Sequence, residues 1–172
     1  RLPAHPAAGR RASVTAAQLV VLRHGRTEWN ATGRLQGQAD IPLDERGVAQ
    51  AEQAAQVLAE LAPSAIYASD LTRARQTAEP LARRCGLRVV TDPRLRETDL
   101  GEWSGRAHED VDASFPGARA HWRLNPRWAP PGGETRLEVS ARASEVVAEL
   151  MASDAWGRGA VALIAHGCTI SA

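Results

Sequence analysis

The sequence predicts an α/β fold: a mostly parallel central sheet with helices on both faces, in three α/β/α layers. Three observations predict it. Short apolar runs alternate with longer segments whose apolar residues recur every three or four positions. Two of the runs stop at a histidine followed by glycine, at His24-Gly25 and His166-Gly167. The 172 residues, 44% of them hydrophobic, are enough for one domain to bury a core of its own. Such sheets bind ligands beyond the carboxyl ends of their strands, so both histidines fall where a site is expected.

Residues 1–17 are rich in Ala, Arg and Pro without periodicity, and read as a flexible tail or linker remnant with no site. Residues 18–172 read as the domain. Gln18 to Leu22 is a strand that delivers Arg23-His24-Gly25. From Leu43-Asp44 a helix carries Val48, Ala51, Ala55, Leu58 and Ala62 on its inward face, and Pro63 closes it. Ala65 to Ala68 is a second strand. Ser69-Asp70 is expected to cap a second helix, with Ala74, Ala78, Leu81 and Cys85 inward and Gly86 at its end. Leu87 to Val90 forms a third strand and residues 107–114 a short helix. Thr135 to Ser153 is a long helix with Val139, Ala143, Val146, Val147 and Leu150 inward, and Ala160 to Ala165 is the last strand. Pro116 to Gly133 is expected to be an ordered loop across the site edge of the sheet.

Charge narrows the partners. With 21 basic against 20 acidic residues the net charge is +1, so no global field favours nucleic acid or a membrane surface. No run of 18 apolar residues is present, and no secretory signal opens the chain. Cys85 and Cys168 fit neither a disulfide framework nor zinc spacing, which gives the cytoplasm as the expected compartment. The first residue is Arg and the last strand ends close to residue 172, from which a domain truncated at its C-terminus is expected.

Glycine after each histidine would let a ligand approach closely and free backbone N–H groups to face an anion. Arg23 adds fixed positive charge, and Thr27, Asn30, Gln36 and Gly37 bring neutral donors to the same edge. The set suits one phosphate. No Walker loop, aspartate cluster or zinc spacing is present, so neither metal nor cofactor is expected. His108 and His121 have no such glycine and read as surface residues. Nothing after Cys168 suggests a phosphothiolate site.

Leu22-Arg23-His24-Gly25 with Thr27 and Asn30 resembles the signature of the histidine phosphatase superfamily, also called phosphoglycerate mutase-like. Further blocks agree in order: Ser69-Asp70-Leu71-Thr72-Arg73-Ala74, Leu95-Arg96-Glu97-Thr98 followed by Leu100-Gly101-Glu102-Trp103-Ser104-Gly105, and Ala165-His166-Gly167. The resemblance covers roughly residues 19–172. It implies the phosphoglycerate mutase-like fold and a metal-independent phosphatase in which His24 is the nucleophile and Glu97 the general acid and base. Arg23, Arg73 and His166 would hold the transferring phosphoryl group, with Arg75 left in solvent. A neutral imidazole, of reference pKa about 6.5, is a competent nucleophile near neutral pH, and arginine forks suit the equatorial oxygens.

Phe115-Pro116-Gly117-Ala118-Arg119, Trp122-Arg123 and Trp128-Ala129-Pro130 followed by Gly132-Gly133-Glu134 resemble the members that act on a phosphorylated sugar acid. There Trp122, Trp128 and Arg119 would offer stacking and a carboxylate contact. Mutases of the family carry a larger insertion after the glutamate block, whereas only about 30 residues separate Glu97 from Trp128 here, which favours hydrolysis. Two other readings stay open at this level: a broad-specificity sugar phosphatase, and a truncated domain that binds phosphate without turnover. The resemblance also implies a possible homodimer.

Overall fold

The last strand sets the architecture. β4, Ala160–Ala165, is buried at all six positions, and its side chains alternate between two separate cores. Ala162 and Ile164 pack with Ala55, Ile66, Ala74, Ala78 and Leu81, whereas Val161, Leu163 and Ala165 pack with Leu95, Val146 and Leu150. A strand covered on both faces must lie in a middle layer, so the three-layer arrangement follows from this alternation. The structure, a computed structural model, describes residues 17–172, and the tail expected over residues 1–17 lies, apart from Ala17, outside the described residues.

Four parallel strands lie in the order β1-β4-β2-β3: β1 is Gln18–Arg23, β2 is Ala65–Ala68 and β3 is Val89–Thr91. α1, Glu28–Ala31, is a single turn after β1, and α2, Glu45–Ala59, joins α3, Thr72–Cys85, on one face of the sheet. α6, Arg136–Met151, covers the other face. α4, His108–Ser114, and α5, Ala118–Leu124, stand with the loops between β3 and β4, and α7, Gly167–Ser171, follows β4. Gly86 closes α3 as expected, and Thr135 caps α6 through a reciprocal bond with Glu138.

Several sequence expectations shift. Val48 is 48% exposed, because the inward face of α2 runs through Gly47, Ala51 and Ala55, and Ala62 lies beyond the helix end. β3 begins two residues later than expected. Leu71, not Ser69-Asp70, occupies the N-cap of α3 and offers no side-chain bond. The capping comes instead from Asp40, which accepts from the Thr72 amide at 2.6 Å and the Thr72 hydroxyl at 2.8 Å. Asp70 is free for Arg96, with which it forms a bidentate pair. The stretch from Pro116 to Gly133 is not one loop, since α5 lies inside it and buries Trp122 against Trp103, ring centroids 6.0 Å apart. With Leu100, Val111 and Trp128 these rings form a third small core above the sheet edge.

Candidate active site

β1 and β4 are parallel neighbours, and Arg23 pairs in register with Ala165. The ladder continues one step, His24 N donating to Ala165 O at 3.0 Å, so the strands release His24 and His166 side by side. Their ring centroids stand 5.1 Å apart. Register alone produces this meeting of residues far apart in the chain.

The His24 Nδ1 lies 2.7 Å from the Gly25 carbonyl. A carbonyl only accepts, so Nδ1 carries the proton and Nε2 keeps its lone pair for attack. Burial, with smaller contributions from Arg73 and Arg23, lowers the His24 pKa to about 4, which leaves the ring neutral at physiological pH. His166 is fully buried, and among the described residues neither ring nitrogen has a partner. Burial and the nearby guanidinium of Arg73 drive its pKa far below the ordinary histidine value.

Arg73, on the first turn of α3, is 0% exposed. Its two terminal nitrogens donate to Ala39 O at 2.7 Å and Gly37 O at 2.8 Å, which fixes the plane of the fork while its Nε keeps no protein partner. Burial lowers its pKa to about 10, with Glu97 opposing that shift, so it stays charged. Gly37 is needed at this turn: its φ is +51°, and a β-carbon would press on Leu100 and Ser104.

Glu97 reaches the cavity from the loop after β3. Its carboxylate accepts from the Thr98 amide at 2.9 Å and the Cys168 amide at 3.2 Å, and Arg96 pairs with Asp70 rather than with it. The loop itself is stapled. Arg142, from α6, donates to the carbonyls of Arg94, Arg96 and Glu97 at 2.7, 2.7 and 3.0 Å, and to both carboxylate oxygens of Glu134. One guanidinium thereby holds the backbone that carries Glu97.

These residues line one cleft of about 220 Å³, whose wall includes Arg23, His24, Asn30, Gln36, Gly37, Arg73 and Glu97. His166 is completely buried beside His24, and neither it nor Thr27 is among the wall residues. Thr27 is completely buried, and its amide and hydroxyl lie within hydrogen-bond reach of the Asn30 and Gln36 carbonyl oxygens. Each amide is held by its oxygen, so its NH2 end is the one left for a ligand. The expected direct contact of Thr27 becomes an indirect one.

Gly25 does other work than expected. A β-carbon on Gly25 would lie 2.5 Å from Gly47 O, and one on Gly47 would lie 2.0 Å from Arg26 O. Close passage of two backbones, not ligand access, demands these residues, and the Gly25 amide donates to Thr77 rather than facing the cleft. Arg119 is bound to Asp112 and is not free to meet a carboxylate. Trp122 is a core residue with one edge on the cleft. Burial pushes the Cys168 thiol up to about 12, so no thiolate nucleophile forms there.

His108, read from sequence as a surface residue, lies on the cleft wall, as do Trp29 and Arg34. No periodicity could have found His108, because α4 is placed by the third core and not by the sheet. Arg75 is exposed as expected. Among the described residues, no group of three or more His, Cys, Asp or Glu side chains is arranged to hold a metal ion, and no helix is long and apolar enough to cross a membrane.

Known proteins resemble the chain in sequence and in fold. The chain is 51% identical to glucosyl-3-phosphoglycerate phosphatase of Mycobacterium tuberculosis, over 91% of this chain and 73% of that protein. It is 42% identical to a probable phosphoglycerate mutase of Cronobacter sakazakii, over 73% of this chain and 59% of that protein. A solved mycobacterial glucosyl-3-phosphoglycerate phosphatase in complex with VO3 matches with a TM-score of 0.88 at 49% identity, covering 91% of this chain and 79% of that one. A complex of the mycobacterial enzyme with inorganic phosphate gives a TM-score of 0.85 at 49% identity, over 91% and 76% of the two chains. The sequence profile of the histidine phosphatase superfamily (branch 1) matches residues 19–172, and the chain belongs to that superfamily.

Proposed function

We propose that this phosphatase hydrolyses glucosyl-3-phosphoglycerate to glucosylglycerate and phosphate through a phosphohistidine on His24. The observation that carries the reading is the neutral His24 ring, its Nε2 free and its Nδ1 tied to Gly25 O, set 5.1 Å from His166 and on one wall with Arg73 and Glu97. The relatives named for this substrate, at 51% and 49% identity, support the choice of substrate.

In the first half-reaction the Nε2 lone pair attacks phosphorus, an N–P bond forms, and the bond from phosphorus to the glycerate oxygen breaks. Glu97 gives its proton to that oxygen. Arg23, Arg73 and His166 stabilise the equatorial oxygens, with the Asn30 and Gln36 amides as neutral donors. In the second half Glu97 takes a proton from water, the water oxygen attacks phosphorus, and the N–P bond breaks to return the neutral ring and free phosphate. Arg73, completely buried, holds its charge where bulk water screens it little.

The test is phosphate release from glucosyl-3-phosphoglycerate, with 3-phosphoglycerate alongside. Wild-type chain should release phosphate and trap acid-labile phosphate on His24, and His24→Ala should lower kcat by about 10⁴-fold or more, as expected for loss of a covalent nucleophile. Full activity in His24→Ala, or isomerised product without free phosphate, overturns the proposal.

A further inference from the structure

The cleft has a side arm that the phosphoryl chemistry does not use. Arg23, Glu97, His108 and Trp122 line both spaces, and the arm adds Arg123 and Arg136. Resting on the substrate reading above, we propose that this arm is a carboxylate subsite, in which Arg136, helped by Arg123 and His108, binds the acid group of the sugar-acid substrate and selects for it.

Arg136 carries the argument. It is the first residue of α6, where the positive end of the helix dipole disfavours a cation. The acidic residue of that first turn, Glu138, does not compensate, because its carboxylate is bound to the Thr135 amide and hydroxyl at 2.8 Å each. The Arg136 side chain has no ion pair among the described residues, and its Nε is buried without a hydrogen-bond partner. A buried donor on a cation, left unpaired and against a dipole, is unfavourable unless an anion completes it. Four half-buried arginines elsewhere in the fold are answered: Arg94, Arg96, Arg119 and Arg142 each pair with a carboxylate.

The surroundings choose the ligand. Arg23, Arg123 and Arg136 all lack a hydrogen-bonded partner among the described residues, and all three line this arm. Glu97 is the one acidic residue on its wall, and it also faces the phosphoryl side. An anion in the arm therefore sits beside the transferring group without replacing it. A glycerate carboxylate is attached to the phosphate oxygen through two carbons, which matches two adjoining spaces with shared walls. Planar carboxylate and planar guanidinium are suited to a bidentate contact.

The test separates binding from turnover. Titration calorimetry with glucosylglycerate, which carries the carboxylate and no phosphate, should show binding to the wild-type chain about tenfold tighter than that of its methyl ester, as expected for one charge-assisted pair. Arg136→Gln should abolish that preference, and Arg136→Lys should keep part of it. In assays, the ratio of kcat/KM for glucosyl-3-phosphoglycerate to that for its methyl ester should fall about tenfold in Arg136→Gln, mostly through KM. Equal binding of acid and ester by the wild type, or an unchanged ratio in the variant, overturns the inference. Arg136-dependent binding of glucosylglycerate without phosphate release would instead leave the subsite standing and overturn the substrate reading.

Discussion

The two sides of the cleft are built by different means. On the phosphoryl side, His24 and His166 are placed by strand register, and Arg73 by the first turn of a helix whose fork is fixed on two backbone carbonyls. On the acid side, Glu97 rides an irregular loop that is held by the Arg142 fork, reaching across from α6. Backbone makes the first side and side chains make the second. The difference teaches where each is vulnerable: the former to anything that displaces main chain, the latter to loss of a single guanidinium.

The largest expected effect would break the backbone side. Gly47→Ala places a β-carbon 2.0 Å from Arg26 O, on the segment that follows the nucleophile. Urea unfolding should show a loss of about 3 kcal/mol, and a change under 0.5 kcal/mol would refute the account of that contact. The next effect addresses the acid side. Arg142→Ala should raise the barrier by about 2 kcal/mol, roughly thirtyfold in kcat/KM on a sugar-acid ester. The loss should be smaller for p-nitrophenyl phosphate, whose departing phenolate needs little protonation, and an equal loss on both would show that Arg142 does not act through Glu97.

The smallest effect sharpens the comparison through pH. Folded His24, with a pKa of about 4, binds no proton at pH 5.5, whereas the unfolded ring with its pKa of 6.5 does. The unfolded state then holds more protons, so stability falls as pH drops from 6.5 toward 4. Each buried imidazole should remove about 1.2 kcal/mol of unfolding free energy between pH 7 and pH 5.5. His166→Asn should halve the pH slope in chemical denaturation, and an unaltered slope would mean that His166 is charged in the folded chain.

The same contrast explains what the sequence disclosed. β4 was legible to the residue, because six apolar positions before His166-Gly167 admit little else, and adjacency of β1 and β4 then brings the histidines together. Arg73 and Glu97 were legible only through resemblance, since neither spacing nor periodicity connects them with the strand ends. The Asp40 cap on Thr72, the Arg142 staple and the Arg136 arm were not legible at all. Each joins residues 30 or more positions apart, or depends on which charged groups are left without partners, and local pattern carries neither kind of information.

Of the five tryptophans, Trp29 and Trp122 border the cleft, while Trp103 lies beneath with its ring 6.0 Å from that of Trp122. Indole emission depends on the polarity and the quenching groups around the ring, and here two fluorophores look onto the space a substrate would fill. The enzyme thus carries an optical reporter of its own occupancy, readable in solution without a label.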